Sequence, residues 1–251
     1  MLEILQHKGG INMKNNRRHM AIKTGMMAVV LLVGLLFVSY RPAIAAKDMR
    51  GAQGIVDNAR VTLSDFLRDP NYSWLNNHLD RAKGVLIFPQ VLKGGFIWGG
   101  SGGTGVFMAR DEKTGTWSEP AFYTIGSVTF GLQIGGEALQ VVMLAMSQKA
   151  VDSVLSTSFK LGGDVSVALG PVGAGAKAQA DVPSITGDFI SFMKAKGLYA
   201  GLNLEGSVIA VRDSLNKVYY GTAVRPAEIV LRQSVHNSRS AEIRQSLKCK
   251  C

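Results

Sequence analysis

Few side chains in this sequence have the types and spacing needed for covalent chemistry. Ser191 and Lys194 stand in an S-x-x-K spacing, in which a lysine can activate a serine for acyl transfer, and Lys113-Thr-Gly115 supplies a K-T-G. In the serine acyl-enzymes the S-x-x-K comes before the K-T-G and an S-D-N is also present. Here the order is reversed, no S-D-N occurs, and Ser191 lies in a predicted strand. We interpret the match as coincidence.

Histidines and acids form no recognisable catalytic or metal-binding pattern. Outside the N-terminal region the histidines are His78 and His236, far apart in the chain, which makes a histidine-centred triad or metal site difficult to build. Glu137 and Glu205 each stand beside glycine in an apolar context, where a carboxyl pKa could be perturbed. A hydrogen-bonded structural role is the preferred interpretation for both. The sequence therefore predicts a protein that is not an enzyme and binds no metal, and a hydrolase using Ser191 or Glu137 remains a minor alternative.

Glycine-rich segments offer two candidate phosphate loops, and both fail on context. The segment 100–105 matches G-x-G-x-x-G, but a dinucleotide site needs a helix directly after the glycines. Val106–Ala109 instead has a strand pattern, and the segment 170–177 lacks the Ser or Thr that follows the lysine of a phosphate loop. We therefore predict no cofactor. The stretch from Gly94 to Gly105, in which seven of twelve residues are glycine, is interpreted as a sharp bend of a sheet.

The net charge of +10 is concentrated at the two ends of the chain. Residues 1–45 contribute +5 and residues 232–251 contribute +4, which leaves about +1 for everything between. A nucleic-acid-binding domain would need a basic face of its own, so this class is disfavoured.

The N-terminal region has the features of an export signal. Basic residues precede an apolar run at 28–38, and Ala43-Ile-Ala45 follows, which is typical of a cleaved secretory signal peptide. An uncleaved anchor is the alternative, but the run is shorter than the roughly 20 residues needed to span a bilayer. We expect residues 1–45 to be removed and the protein to be periplasmic. Cys249 and Cys251 suit neither a zinc site nor a stapled core.

The remaining elements must place these side chains in one domain. Helical periodicity predicts a helix over 48–69, ended by Pro70, and a second helix capped by Asn71 or Ser73 and running to Lys83. A short helix capped by Ser147 and a closing helix from Ala227 are also predicted. Strands are predicted at 85–88, 96–98, 105–109, 121–134, 138–146, 164–169, 174–180, 188–194, 206–211 and 218–221.

These patterns predict an α+β fold. The expected architecture is a glycine-rich, strongly curved antiparallel sheet or partial barrel with N-terminal helices and a short C-terminal helix. Residues 46–231 form the predicted domain, and residues 232–251 are expected to be a basic, partly disordered tail.

Several strings resemble the SYLF domain, a lipid-binding family. They extend in family order from about Lys47 to Leu231, nearly the whole predicted mature chain. The strings are RAKGVLIFP (81–89), KGGF (93–96), GG (99–100), GTGV (103–106), PAFY (120–123), GLQIG (131–135), LGGD (161–164), GPVG (170–173), KGLYAGL (196–202) and LEG (204–206).

The resemblance implies a non-enzymatic domain that binds phospholipid, in eukaryotic relatives phosphoinositides and in some of them actin. Actin and phosphoinositides are not expected in a periplasm, so anionic phospholipid at a membrane surface is the expected partner. A structural or protein-interaction module of the cell envelope is the alternative.

A lipid site needs cations for phosphate and aromatic edges for the interface. Cations within or beside these strings are Arg81, Lys83, Lys93, Lys160, Lys194 and Lys196. Aromatic candidates are Phe96, Trp98, Phe122, Tyr123 and Tyr199. The competing interpretation is that the aromatics fill the core and the lysines only solvate the surface.

Overall fold

Helices cover both faces of a single sheet in this computed structural model, which describes residues 48–95, 98–130, 135–173, 185–195 and 204–248. The chain from Met49 onward forms one compact unit. Its helices are α1 (48–68), α2 (Ser73–His78), α3 (Gln148–Leu155), α4 (Asp213–Tyr220), α5 (Pro226–Val230) and α6 (Ala241–Ser246). Short 3-10 helices lie at Pro70–Tyr72, Leu79–Arg81 and Ser238–Ser240. In the described part of the chain, no helix is long and apolar enough to cross a membrane.

Eight strands of the sheet lie in the described residues, and the sheet is strongly curved into a half-barrel. Neighbouring strands follow the order β5-β8-β3-β2-β1-β4-β7-β6, and every pair is antiparallel except β6 and β7. The strands are β1 (Gly84–Gly95), β2 (Trp98–Ala109), β3 (Ala121–Phe130), β4 (Gly135–Ala145), β5 (Ser158–Lys160), β6 (Val167–Leu169), β7 (Phe189–Ala195) and β8 (Val208–Val211). The predicted α+β fold with a curved sheet, N-terminal helices and a short C-terminal helix is confirmed.

Alternation along the strands divides the core between the two faces of the sheet. One face buries Ile87, Val106 and Val142 against α1, α2, α4 and α6. The other buries Phe107 and Met143 against α3 and α5. Central strands buried on both faces are nearly continuous apolar runs, and this is why 138–146 was recognisable as a strand.

The predicted first helix is confirmed by α1, whose buried stripe has helical spacing. Ala52, Val56, Ala59 and Leu63 are essentially inaccessible to solvent and pack on the sheet. α2 is shorter than the predicted second helix: a 3-10 turn stands on either side of it, and Asp69, not Asn71 or Ser73, caps the first of these turns. Its carboxylate accepts a hydrogen bond of 3.0 Å from the Asn71 amide, and α2 then ends at His78.

The glycine-rich stretch 94–105 belongs to β1 and β2 wherever the structure describes it. β1 continues through Pro89 with an irregularity between Ile87 and Gln90, and Gly94 and Gly95 are still paired with β2. The prediction that the first strand ends at residue 88 is therefore wrong. A bulge accommodates proline because the residue there needs no ladder hydrogen bond.

One further prediction differs from the structure. Residues 218–221 were predicted to be a strand, but they end α4, and Gly221 terminates that helix at φ +73°. Four residues with apolar character are too few to separate a strand from a helix end. The strand predicted at 174–180 lies outside the described residues.

The expected disorder of the C-terminal segment also needs correction over 232–248. This segment folds back on α1, and α6 buries Ile243 and the following Leu247 in the same core as Leu63. Ile243 and Leu247 are four residues apart and so lie on one helical face. Surrounding basic and polar residues masked this two-residue pattern in the sequence.

Candidate binding surface

One end of the sheet carries aliphatic side chains that none of the described helices covers. In register across the strands, Leu92 pairs with Gly102 and Ala138, Gly102 pairs with Gly126, Gly126 with Val208, and Val208 with Lys160. Cross-strand partners project from the same face. Leu92 is 57% exposed and Val208 44% exposed.

A second row lies beyond the first and completes this surface. Val128 pairs with Gly100, Gly100 with Gly94, and Gly94 with Gly136, and Val128 is 83% exposed. The two rows together are called the glycine face: Leu92, Gly94, Gly100, Gly102, Gly126, Val128, Gly136, Ala138, Val208 and Lys160. The glycine face thus presents three aliphatic side chains above a nearly bare backbone surface.

The opposite face at this end of the sheet is polar. Lys93 is in register with Ser101 and Glu137, and the Ser101 and Ser127 hydroxyls are hydrogen-bonded at 2.7 Å. Within the described residues Lys93 makes no ion pair shorter than 4 Å. This end of the sheet is therefore amphipathic, with an aliphatic face and a polar, cationic face.

The connections at the same end are apolar in sequence. Gly95 pairs with Gly99 and Gly135, and Trp98 pairs with Phe130, so four strand ends meet there. The residues that join them are FI (96–97) and GLQI (131–134), and both lie outside the described residues. Four of these six residues are large and apolar, which is the composition expected of turns that meet an apolar environment.

Two of the predicted cations lie at this end of the sheet. Lys160 ends β5 at the edge of the glycine face and is exposed, and Lys93 is on the polar face. Lys196 follows β7 but lies outside the described residues.

The other predicted cations are placed elsewhere or engaged. Lys83 forms an ion pair with Glu112 in the hairpin beyond β2. Lys194 binds Asp69 at 2.9 Å, and this hydrogen bond is the main reason why the pKa of that carboxyl lies below its usual range. Arg81 is exposed just before Gly84, at the opposite end of the sheet.

The predicted aromatic edges do not form one surface in the described part of the chain. Phe122 and Tyr123 are buried to 0% and 1% exposure, so they are core residues and cannot serve as exposed edges here. The Tyr123 hydroxyl donates to the Val154 carbonyl at 2.7 Å, and burial raises its pKa far above the usual value. Trp98 begins β2, but its side chain is outside the described part of the structure. Phe96 and Tyr199 lie wholly outside it.

The S-x-x-K match is excluded as a catalytic pair by the geometry of β7. Ser191 is buried beside Phe189, while Lys194 shares the opposite face with Ile190 and Phe192. Side chains on opposite faces of one strand cannot exchange a proton directly. The Ser191 hydroxyl donates instead to the Ala168 carbonyl at 3.1 Å.

The two acids singled out in the sequence lie in different surroundings. Glu137 lies beside Lys93 on the polar face of the sheet, and Glu205 is exposed in a turn before β8. Among the described residues, no group of three or more His, Cys, Asp or Glu could hold a metal ion.

A buried carboxylate that the sequence did not reveal holds the C-terminal segment in place. The Glu119 side chain is 4% exposed and lies 2.7 Å from Nδ1 of His236 and 3.5 Å from Nη2 of Arg244. The pKa of Tyr219 and that of Tyr220 are raised, first by burial and then by the negative charge of Glu119. Nothing in the local sequence distinguishes Glu119 from a surface acid, because its partners lie more than 100 residues away.

The aliphatic residues of the glycine face were also missed. Leu92 and Val128 sit in glycine-rich strands whose facing direction depends on register. The available signal was that Leu92 follows Val91 and Val128 follows Ser127, because neighbouring residues of a strand face opposite sides. Val91 is buried and Leu92 is exposed. A bulge just before Val91 shifts that alternation and obscures it.

Comparison with known proteins identifies the family. Residues 126–248 match the Ysc84 family, described as a Las17-binding protein and actin regulator. The match includes the segment 232–248 that folds back on α1, so this segment is an integral part of the domain.

Individual relatives give the same result. "Protein YSC84" of Saccharomyces cerevisiae is 40% identical over 146 residues, which is 57% of this chain and 31% of that protein. "LAS seventeen-binding protein 3" of the same species is 39% identical over 146 residues, again 57% and 31%. "SH3 domain-containing YSC84-like protein 1" of Homo sapiens is 30% identical over 168 residues, 66% of this chain and 48% of that protein.

The chain therefore spans less than half the length of these relatives. What it shares with them is a domain whose family description is one of binding and regulation. The resemblance noted in the sequence is thereby confirmed: this chain carries a domain of the Ysc84 (SYLF) family.

Proposed function

We propose that this protein is a non-enzymatic binding domain that docks on anionic phospholipid through the glycine face. The observation that carries the proposal is the exposure of Leu92, Val128 and Val208 on a sheet surface otherwise built of glycine and alanine, with Lys160 at its edge. Isolated exposed aliphatic residues are ordinary on protein surfaces, but a contiguous apolar patch marks an interaction site.

A lipid interface fits this patch physically. The glycines leave the backbone surface shallow, so the three aliphatic side chains would be the first groups to reach the acyl boundary, roughly 5–10 Å below the headgroups. The apolar connections at 96–97 and 131–134 leave from the same end and extend the apolar character of the sequence there. Lys160, at the edge of the patch, would contribute about 1 kcal/mol next to an anionic surface.

The proposed location is the periplasm. It is supported by the sequence of residues 1–45, whose basic region, apolar run and Ala-Ile-Ala end have the form of an export signal. Sequencing the N-terminus of the exported protein tests this proposal, and a start at or before Met20 would contradict it.

A protein partner is the second candidate, favoured by the relatives. The family description names Las17 binding and actin regulation, and one yeast relative is named as a Las17-binding protein. A shallow face with a few aliphatic anchors could equally receive a complementary protein surface.

Vesicle binding of a targeted variant tests the proposal. We expect the protein to co-sediment with phosphatidylglycerol vesicles and far less with phosphatidylcholine vesicles, with binding weakened by salt. Replacing Leu92, Val128 and Val208 together by Ser removes partly exposed apolar groups worth about 2 kcal/mol in all. The partition coefficient should therefore fall roughly thirtyfold, at 1.4 kcal/mol per tenfold change.

A matched control uses exposed aliphatic residues outside the glycine face. Val61 on α1 and Leu231 after α5 are 46% and 55% exposed, and Val61→Ser with Leu231→Ser should leave binding unchanged. All these variants share residues 1–45, so any contribution of that apolar run cancels in the comparison. Equal binding of both variants and the original protein would refute docking through the glycine face. Loss of a cross-linked protein partner without a lipid effect would support the second candidate.

A further inference from the structure

A polar groove beside α1, away from the glycine face, forms a second candidate site. The groove has a volume of about 410 Å³ and lies between α1 and α6. Arg60, Ser64 and Arg68 line one wall at intervals of four residues, which places them on adjoining turns of α1. Gln245 and Glu242 of α6 line the other wall.

The cations of the groove retain unused hydrogen-bond donors. Nε of Arg60 lies 3.2 Å from the Glu242 carboxylate, and this is the only ion pair of Arg60 among the described residues. Its two Nη atoms donate no hydrogen bond to any described residue. Arg68 makes no ion pair within 4 Å with any described residue. Two guanidinium groups with free donors therefore face a space bordered by a hydroxyl and an amide.

We propose that this groove binds a phosphate ester with a small polar substituent. Arginine forks match the oxygen geometry of phosphate bidentately, and Ser64 and Gln245 can donate to the remaining oxygens or to a substituent hydroxyl. The volume of about 410 Å³ is in the range of small-ligand sites. Glu242 repels an anion and holds Arg60, so it would moderate the affinity of the site.

The groove is separate from the proposed membrane-docking surface. Thr62 accepts a hydrogen bond of 3.2 Å from Gln140, on the flank of α1 that adjoins the glycine face at Ala138. Arg60 and Arg68 project from the flank that meets α6. The site could receive either a soluble phosphate ester or the headgroup of a lipid, and these two sources can be separated by experiment.

Titration of the full chain with glycerol 1-phosphate tests the site. Chemical-shift changes should appear at residues of α1 and α6, and sodium chloride at equal ionic strength should not reproduce them. Arg68→Gln should weaken binding about tenfold, the effect of losing one charge-assisted pair. Arg50→Gln is the matched control and should have no effect. Arg50 is an exposed arginine on the same stripe of α1 as Arg68, and it lies five turns, or roughly 27 Å, from Arg68.

Glu242→Gln separates an anion site from a plain structural ion pair. It frees Arg60 and removes a competing carboxylate, so phosphate-ester binding should become several-fold tighter. Unchanged or weaker binding, or an equal effect of Arg50→Gln and Arg68→Gln, would overturn the proposal.

The source of the phosphate is decided with vesicles. If vesicles of phosphatidylglycerol displace glycerol 1-phosphate, the ligand is a headgroup, and if they do not, it is a soluble ester. The serine variant of Leu92, Val128 and Val208 should keep its affinity for glycerol 1-phosphate, so that failure of the membrane proposal and failure of this one are distinguishable.

Discussion

Replacing Gly105 by alanine should destabilise the domain, while the same change three residues earlier should not. A Cβ at Gly105 would overlap the Ile87 carbonyl oxygen and lie 2.6 Å from Cδ1 of Phe88 and 2.9 Å from the Ile87 carbonyl carbon. These neighbours belong largely to the backbone of β1 next to its bulge, so they cannot swing aside. At Gly102 the nearest atom to a Cβ, the Ile125 carbonyl oxygen, is 3.9 Å away, which is an ordinary contact.

The expected magnitudes follow from these distances. Overpacking against an immovable backbone costs about 3 kcal/mol, and the smaller conformational entropy of the unfolded alanine chain offsets about 0.4–1 kcal/mol of it. The net loss of about 2 kcal/mol corresponds to a fall in Tm of roughly 4–8 °C for a domain of this size. Gly102→Ala lacks the overlap, so its Tm should stay level or rise slightly.

Thermal unfolding followed by circular dichroism measures both variants under one condition. An unchanged Tm for Gly105→Ala would refute the view that this glycine is required for close approach of β1 and β2. An equal fall for Gly102→Ala would show that the glycines share a role that the spacing does not explain.

Two further predictions concern carboxylates that accept side-chain hydrogen bonds. Glu119→Gln should lower the free energy of unfolding by about 2 kcal/mol, as measured by urea unfolding. This value is smaller than that for a fully buried ion pair, because His236 is 65% exposed. Limited proteolysis of this variant should cut first after residue 231. The pKa of Asp188 is lowered, chiefly by the Ser147 hydroxyl 2.6 Å away, so its stabilisation is complete above the unfolded pKa of about 3.9 and is lost as the pH falls through the lower folded pKa. The stability of the original protein should therefore fall more steeply below pH 4 than that of Asp188→Asn, and parallel curves would contradict this.

Local pattern was sufficient where an element is long or carries its own cap. α1 was predictable because its apolar stripe repeats over five turns, and the start of α3 because Ser147 precedes it and caps the Ala150 amide at 3.1 Å. The path of β1 through Pro89 was not predictable, because a bulge is defined by pairing with β2 and β4 and not by the residues of β1 alone.

The candidate surface could likewise be predicted only in part from the sequence. Lys160 and Lys93 could be chosen from residue type, and both lie at the glycine-rich end of the sheet. Phe122 has the same type as an exposed aromatic edge, but its position on β3 opposite α4 buries it. Leu92 and Val128 became candidates only when register placed them on one face, since side-chain direction in a strand reverses with each residue.

Docking of the glycine face on lipid is tested most directly by a fluorescent probe at Val128, the most exposed of its aliphatic residues at 83%. With Cys249 and Cys251 replaced by Ser, an environment-sensitive dye is attached to Val128→Cys, and in a matched protein to Val61→Cys on α1. On adding phosphatidylglycerol vesicles, the emission of the dye at position 128 should shift to the blue and that at position 61 should not. No shift at position 128, or equal shifts at both positions, would contradict the proposed docking of this face on a membrane.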